Sequence, residues 1–155
     1  MVRMVHQRYE RDVAHPVDRA YAWLTDYDDD DAQLAGAIIK DRPVLERHPD
    51  RVVLRGDLEA VGRRMRGIAE VRLHPPDHWV AHLKDLKGRT SGVYDYRLEP
   101  RPGGSRLIVD YGFVAPKLKH VILFTLGRRR IRRELDLMWD GFFAAMDRDL
   151  RAPQG

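Results

Sequence analysis

Ile131, Leu135, Met138, Trp139, Phe142, Ala145, Met146 and Leu150 recur at steps of three and four, while Arg132, Arg133, Asp136, Asp140, Asp147 and Arg148 fill the other side. This spacing predicts one amphipathic helix of roughly twenty residues, ~30 Å long at ~1.5 Å per residue. Its bulky apolar stripe needs a partner of similar reach. Upstream, about six segments alternate with a period of two, and a sheet with one apolar and one wet face needs a cover of this kind. The element order therefore predicts an α+β chain in which the last helix closes the hollow side of an antiparallel sheet. A cover built of Met, Trp and Phe can leave a shaped apolar space beneath it.

The strands and their inward faces follow from the alternation. Val5 to Val13 alternates weakly, with Val5, Tyr9 and Val13 on one face. Pro16 then opens a helix, because a proline in the first turn forfeits no hydrogen bond, and Val17, Ala20, Tyr21 and Leu24 follow at helical spacing. Thr25 to Asp31 reads as a polar loop, its Asp28–Asp31 run capping a second short helix over Ala32 to Ile38. From Pro43 the period becomes two. Val44 to Arg47 is a short strand that His48-Pro49-Asp50 turns. Val52 to Val61 presents Val52, Leu54, Gly56, Leu58 and Ala60, and the next strand presents Met65, Gly67, Ala69, Val71 and Leu73. Trp79, Ala81 and Leu83, then Tyr94, Tyr96 and Leu98, then Leu107, Val109, Tyr111 and Phe113 line the remaining three. Short turns at Pro75-Pro76-Asp77, Lys87-Gly88 and Pro102-Gly103-Gly104 make successive strands antiparallel. Small inward residues let such a sheet bend and leave volume unfilled.

Length and composition narrow the function. A chain of 155 residues fits a single domain, residues 1–155, and buries roughly 70% of its unfolded surface. The longest uncharged apolar stretch, Val121 to Leu126, falls far short of the ~20 residues that cross a bilayer, and Met1 to Glu10 has no apolar leader core. The expectation is a soluble, cytoplasmic protein. Cysteine is absent, which excludes disulfides and thiolate chemistry. The net charge of +4 is spread over interleaved acids and bases, apart from Arg128, Arg129, Arg130, Arg132 and Arg133 beside Val121-Ile122-Leu123-Phe124. Leu118 to Leu126 with these arginines reads in two ways: a docking surface for an anionic membrane, or the beginning of the closing helix, which is slightly favoured. No nucleic-acid motif accompanies the cluster, so no nucleic-acid partner is expected.

The stretch Val13-Ala14-His15-Pro16-Val17-Asp18-Arg19-Ala20-Tyr21-Ala22-Trp23-Leu24-Thr25-Asp26, the strand meander and the closing helix together resemble the START-like (SRPBCC, helix-grip) superfamily. That superfamily includes polyketide cyclases, lipid-transfer proteins and pollen-allergen relatives. The resemblance spans nearly the whole chain. It implies a helix-grip fold, a curved antiparallel sheet wrapped around a long C-terminal helix, with an apolar cavity between them in a single START-like ligand-binding domain. Binders, carriers and cyclases share this fold, so function has to be argued from the site.

The inward aromatics Trp79, Tyr94, Tyr96 and Tyr111, with Met65 beside them and Met138, Trp139 and Phe142 on the facing helix, are the candidate ligand-binding residues. Tyrosine offers an apolar ring and a hydroxyl that orients a polar group. The competing role for each is plain core packing, where a buried side chain contributes about 1.5–3 kcal/mol. For acid-base chemistry the inward polar candidates are the three tyrosines, Arg11 and Asp85, with pairing or solvent exposure as the alternative for the last two. His74, His78 and His82 step by four, but Pro75-Pro76 prevents one helix from carrying all three, so no metal site is expected. No nucleophile elbow, phosphate-binding glycine loop or paired-carboxylate motif is present. The favoured reading is binding or transport of a hydrophobic small molecule or lipid without a cofactor. A polyketide cyclase or aromatase, and a membrane-surface protein, are the alternatives.

Overall fold

A computed structural model describes residues 3–27, 39–41, 43–60 and 63–151. The order is β1 (Met4–Val13), α1 (Val17–Leu24), β2 (Ile39–Asp41), β3 (Val44–His48), β4 (Arg51–Ala60), β5 (Arg63–His74), β6 (His78–Asp85), β7 (Thr90–Arg101), β8 (Gly104–Val114), α2 (Leu118–Leu126) and α3 (Arg128–Arg151). The strands form one curved antiparallel sheet in the order β1-β8-β7-β6-β5-β4-β2, with β3 also paired to β4. β2 and β3 lie end to end along the same side of β4, Ile39 opposite Leu58 and Val44 opposite Leu54, so eight strands occupy seven positions.

The alternation names seven strand segments, which are β1 and β3 to β8, and β2 is the unforeseen eighth. Three residues are too few for an alternation to show. The expected polar loop beyond Tyr27 and the short helix over Ala32 to Ile38 lie outside the described residues. The other strands follow the predicted turns, and their registers put the predicted faces together: Leu98 opposite Leu107, Tyr96 opposite Trp79 and Val109, Tyr94 opposite Ala81 and Tyr111.

Leu118 to Leu126 is not the beginning of the closing helix. It is a separate helix, and Gly127 makes the break: its N–H donates to the Leu123 carbonyl (2.9 Å), while its own carbonyl accepts from Ile131 N–H (2.9 Å). One glycine thus ends α2 and opens α3, at the residue type that stabilises a helix interior least after proline. From there α3 runs as predicted, with Ile131, Leu135, Met138, Trp139, Phe142, Ala145 and Met146 buried.

Its acidic flank does more than face water. Tyr9 donates to Asp136 (2.6 Å), Arg11 to Asp140 (2.6 Å), His15 Nε2 lies 2.6 Å from Asp147, and Trp23 donates to Asp149 (2.8 Å). These bonds fasten α3 along the edge strand β1 and to α1. Among the described residues no helix is long and apolar enough to cross a membrane.

Candidate ligand site on the concave face

Between β4 and β8 the inner face is filled unevenly. Val52, Val71, Trp79, Leu98, Leu107 and Val109 are fully buried in the one core cluster that Ala20 of α1 and Met146 of α3 also join. Tyr21 of α1 meets the Trp79 ring edge-on at 5.6 Å, and Tyr96 stacks on the same ring at 5.1 Å. Farther along the same face, Ala69, Leu83, Tyr94 and Phe113 pack against the core but keep part of their surface accessible. Phe124 of α2 stacks on Phe113 at 5.0 Å and bounds this end.

Gly92 leaves one inward position without a side chain. It lies between Leu83 and Phe113 in the register, where any other residue would put a side chain inward. The Tyr94 ring leans over it, so a Cβ on Gly92 would meet that ring at 3.3 Å and the Gly112 carbonyl at 3.0 Å.

The predicted residues Trp79, Tyr94, Tyr96, Tyr111, Met138, Trp139 and Phe142 come together in one cluster. Met65 stands in β5 opposite Leu58, but its side chain lies outside the described part. Trp79, Tyr111, Met138, Trp139 and Phe142 are buried, each enclosed by neighbours, so core packing accounts for most of their surface. Trp139 Nε1 donates to the Tyr111 hydroxyl at 2.9 Å. Tyr94 and Tyr96 remain partly accessible.

Tyr94 differs from its ladder neighbour Tyr111. Their rings meet edge-on at 4.8 Å, and burial pushes both phenols well above their ordinary pKa. At Tyr111 the hydrogen bond from Trp139 partly opposes that rise. At Tyr94 burial is the sole cause, and its hydroxyl bonds to no described residue. Both groups stay neutral near pH 7, which makes them hydrogen-bond donors rather than bases.

Two polar candidates do not belong to this site. Asp85 sits at the β6–β7 turn, where it accepts from the backbone N–H of Lys87 (2.9 Å) and Arg89 (3.0 Å) and from Arg89 Nε (2.9 Å). The Arg89 backbone bond, with the other two, holds its carboxyl below the usual range. Arg11 turns to the flank of α3, paired with Asp140 and 3.5 Å from Asp136, its guanidinium 5.2 Å over the Phe143 ring. Strand alternation put both on the inward face; turn chemistry and a helix 125 residues away decided otherwise.

His15, Asp147 and Ser105 are buried or partly buried together and have the residue types of a hydrolytic triad. The geometry is structural: the Ser105 hydroxyl donates to the His15 backbone carbonyl (2.8 Å), not to the ring. His74 and His78 stack at 5.2 Å, His82 faces out, and no three metal-ligating side chains converge among the described residues. Sequence reading missed Gln7, which is buried and donates to the Arg128 carbonyl at 3.2 Å. Its place between Val5 and Tyr9 in the alternation was the available signal.

No family model and no curated protein matches the chain. Solved structures do. The aromatase/cyclase Zhui from Streptomyces sp. R1128 superposes with a TM-score of 0.76 at 16% identity over 99% of each chain. TTHA0849 from Thermus thermophilus gives 0.75 at 14% identity, covering 92% of this chain and 97% of that one. Ara h 8.0201 gives 0.62 at 13% identity, covering 93% and 98%. Likeness at such identities establishes architecture and leaves activity to the site.

Proposed function

The chain has the START-like, helix-grip fold, and from that premise we propose that it binds a hydrophobic small molecule or lipid between Tyr94, Tyr96 and the underside of α3. The observation that carries this reading is Tyr94. Tyr94 alternates inward on a central strand, between Ala81 and Tyr111, yet part of its surface is accessible and its hydroxyl has no partner among the described residues. A guest with a carbonyl or hydroxyl oxygen would accept that proton, a bond of about 0.5–1.5 kcal/mol. The surrounding Leu83, Phe113, Phe124 and Trp139 carry no charge, so they suit an apolar body.

Binding is favoured over catalysis because a cyclase needs an inward acid-base pair. Arg11 and Asp85 are both engaged elsewhere, and Tyr94 and Tyr111 hold their protons. The aromatase/cyclase among the similar structures supports the fold, not the chemistry.

Titration with anilinonaphthalene sulfonate, an apolar fluorescent probe, tests the proposal. Saturable binding is expected, with Leu83→Trp abolishing it at an unchanged melting temperature and Tyr94→Phe weakening an oxygen-bearing guest several-fold, as one lost bond implies. Non-saturable binding, or binding indifferent to Leu83→Trp, would remove the basis for the reading.

A further inference from the structure

We propose that the outer face of α2 docks the protein on anionic lipid membranes. One side of this helix is fastened to the sheet through Phe124 on Phe113. On another side Leu118, Ile122 and Leu126 follow at four-residue steps, 62%, 49% and 81% exposed, with Leu123 next to them. No residue of this strongly apolar helix is buried. A contiguous apolar stripe left in water marks a contact surface rather than an ordinary face.

The charge around the stripe identifies the partner. From Tyr111 to Arg133 the chain contains no Asp or Glu, and Lys117, Lys119, Arg128, Arg129 and Arg133 are exposed, whereas Arg130 lies 3.6 Å from Glu134 and Arg132 lines a groove beside Glu10 and Asp12. Leu86, 77% exposed in the β6–β7 turn, stands at the same end of the sheet beside Lys84 and Lys87, since β7 starts where β8 runs out toward α2. Exposed apolar side chains flanked in the chain by cations match the boundary of an anionic bilayer, where leucines enter the acyl region and arginines meet headgroup phosphates. A second copy of the chain would set the same cations against one another. A nucleic acid would engage the arginines and leave the leucines in water.

Docked this way, the partly accessible end of the concave face, bounded by Phe124, is held near the lipid. The docking itself requires no guest, so it stands or fails independently of the ligand reading.

Co-sedimentation of the intact chain with vesicles decides it, using phosphatidylcholine alone and phosphatidylcholine with about one-third phosphatidylserine. Partition into the anionic vesicles is expected to be at least about tenfold stronger and to fall with added salt. Ile122→Gln with Leu126→Gln should lose at least about tenfold of it at an unchanged melting temperature, because both side chains are exposed. Leu126→Trp supplies a second readout, a blue shift of emission on anionic vesicles only. Equal partition into neutral vesicles, or partition that survives the double substitution, overturns the proposal. So does a dimer in the ultracentrifuge that Leu126→Gln dissolves, or tight duplex DNA binding that ignores the leucine substitutions.

Discussion

Tyr94 and Tyr111 are neighbours across the β7–β8 ladder, share an environment and have opposite obligations. The Tyr111 oxygen satisfies a buried indole N–H, so Tyr111→Phe orphans Trp139 and should cost about 1–3 kcal/mol. Tyr94→Phe removes a hydroxyl with no described partner, so its cost should stay within about 0.5 kcal/mol. Urea unfolding of the two variants side by side measures this difference. Equal losses would mean that the Tyr94 hydroxyl is already satisfied, and the ligand reading would lose its carrying observation. Sequence alternation placed both rings on the inner face, because successive strand residues must point to opposite sides. It had no means of telling them apart. The distinction depends on Trp139, which reaches Tyr111 from another element.

Among the elements, two inward glycines that look alike in the sequence carry different constraints. Gly56 and Gly67 face each other across β4 and β5. A Cβ on Gly67 would fall inside the van der Waals boundary of the Lys84 carbonyl oxygen, so two central strands would have to part, whereas a Cβ on Gly56 meets nothing within 4 Å. Gly67→Ala is expected to destabilise by at least about 2 kcal/mol, and Gly56→Ala to be neutral or stabilising by up to about 1 kcal/mol. Thermal melts of both variants settle the comparison; a well-tolerated Gly67→Ala would show that this approach is looser than described. Helix boundaries were legible to a similar, partial degree. Pro16 opened α1 and the apolar stripe marked α3, but the stop at Gly127 was not expected, because Val121 to Leu126 and Ile131 to Leu135 are each apolar enough to continue one helix.

For the molecule as a whole, stability should depend on keeping phenols protonated. Burial is the largest cause raising Tyr9, Tyr21, Tyr94 and Tyr111 above the ordinary value of 10.0; the bond to Asp136 adds to it at Tyr9, and the charge of Asp77 at Tyr21. Below pH 10 both folded and unfolded chains hold these protons, and the full stability is present. Above it the unfolded chain releases protons that the folded one retains, so stability falls as pH rises. Tyrosinate absorbance at 295 nm should therefore appear for these four together with loss of circular dichroism. Ionisation of all four near pH 10 with the fold intact would contradict the rise that burial gives these phenols.

Periodicity alone determined seven of the eight strands, the helices α1 and α3, the inward faces and the long apolar stripe, because backbone geometry dictates where each side chain points along a helix or a strand. Folding decided what waits there. Asp136, Asp140 and Asp147 look solvent-bound in the sequence, yet they grip Tyr9, Arg11 and His15 because α3 happens to lie along the edge strand β1. The same holds for the candidate site: Trp79 is sealed and Tyr94 is not, although both alternate inward. Direction is a local property of the chain, whereas occupancy depends on elements that meet only after it has folded.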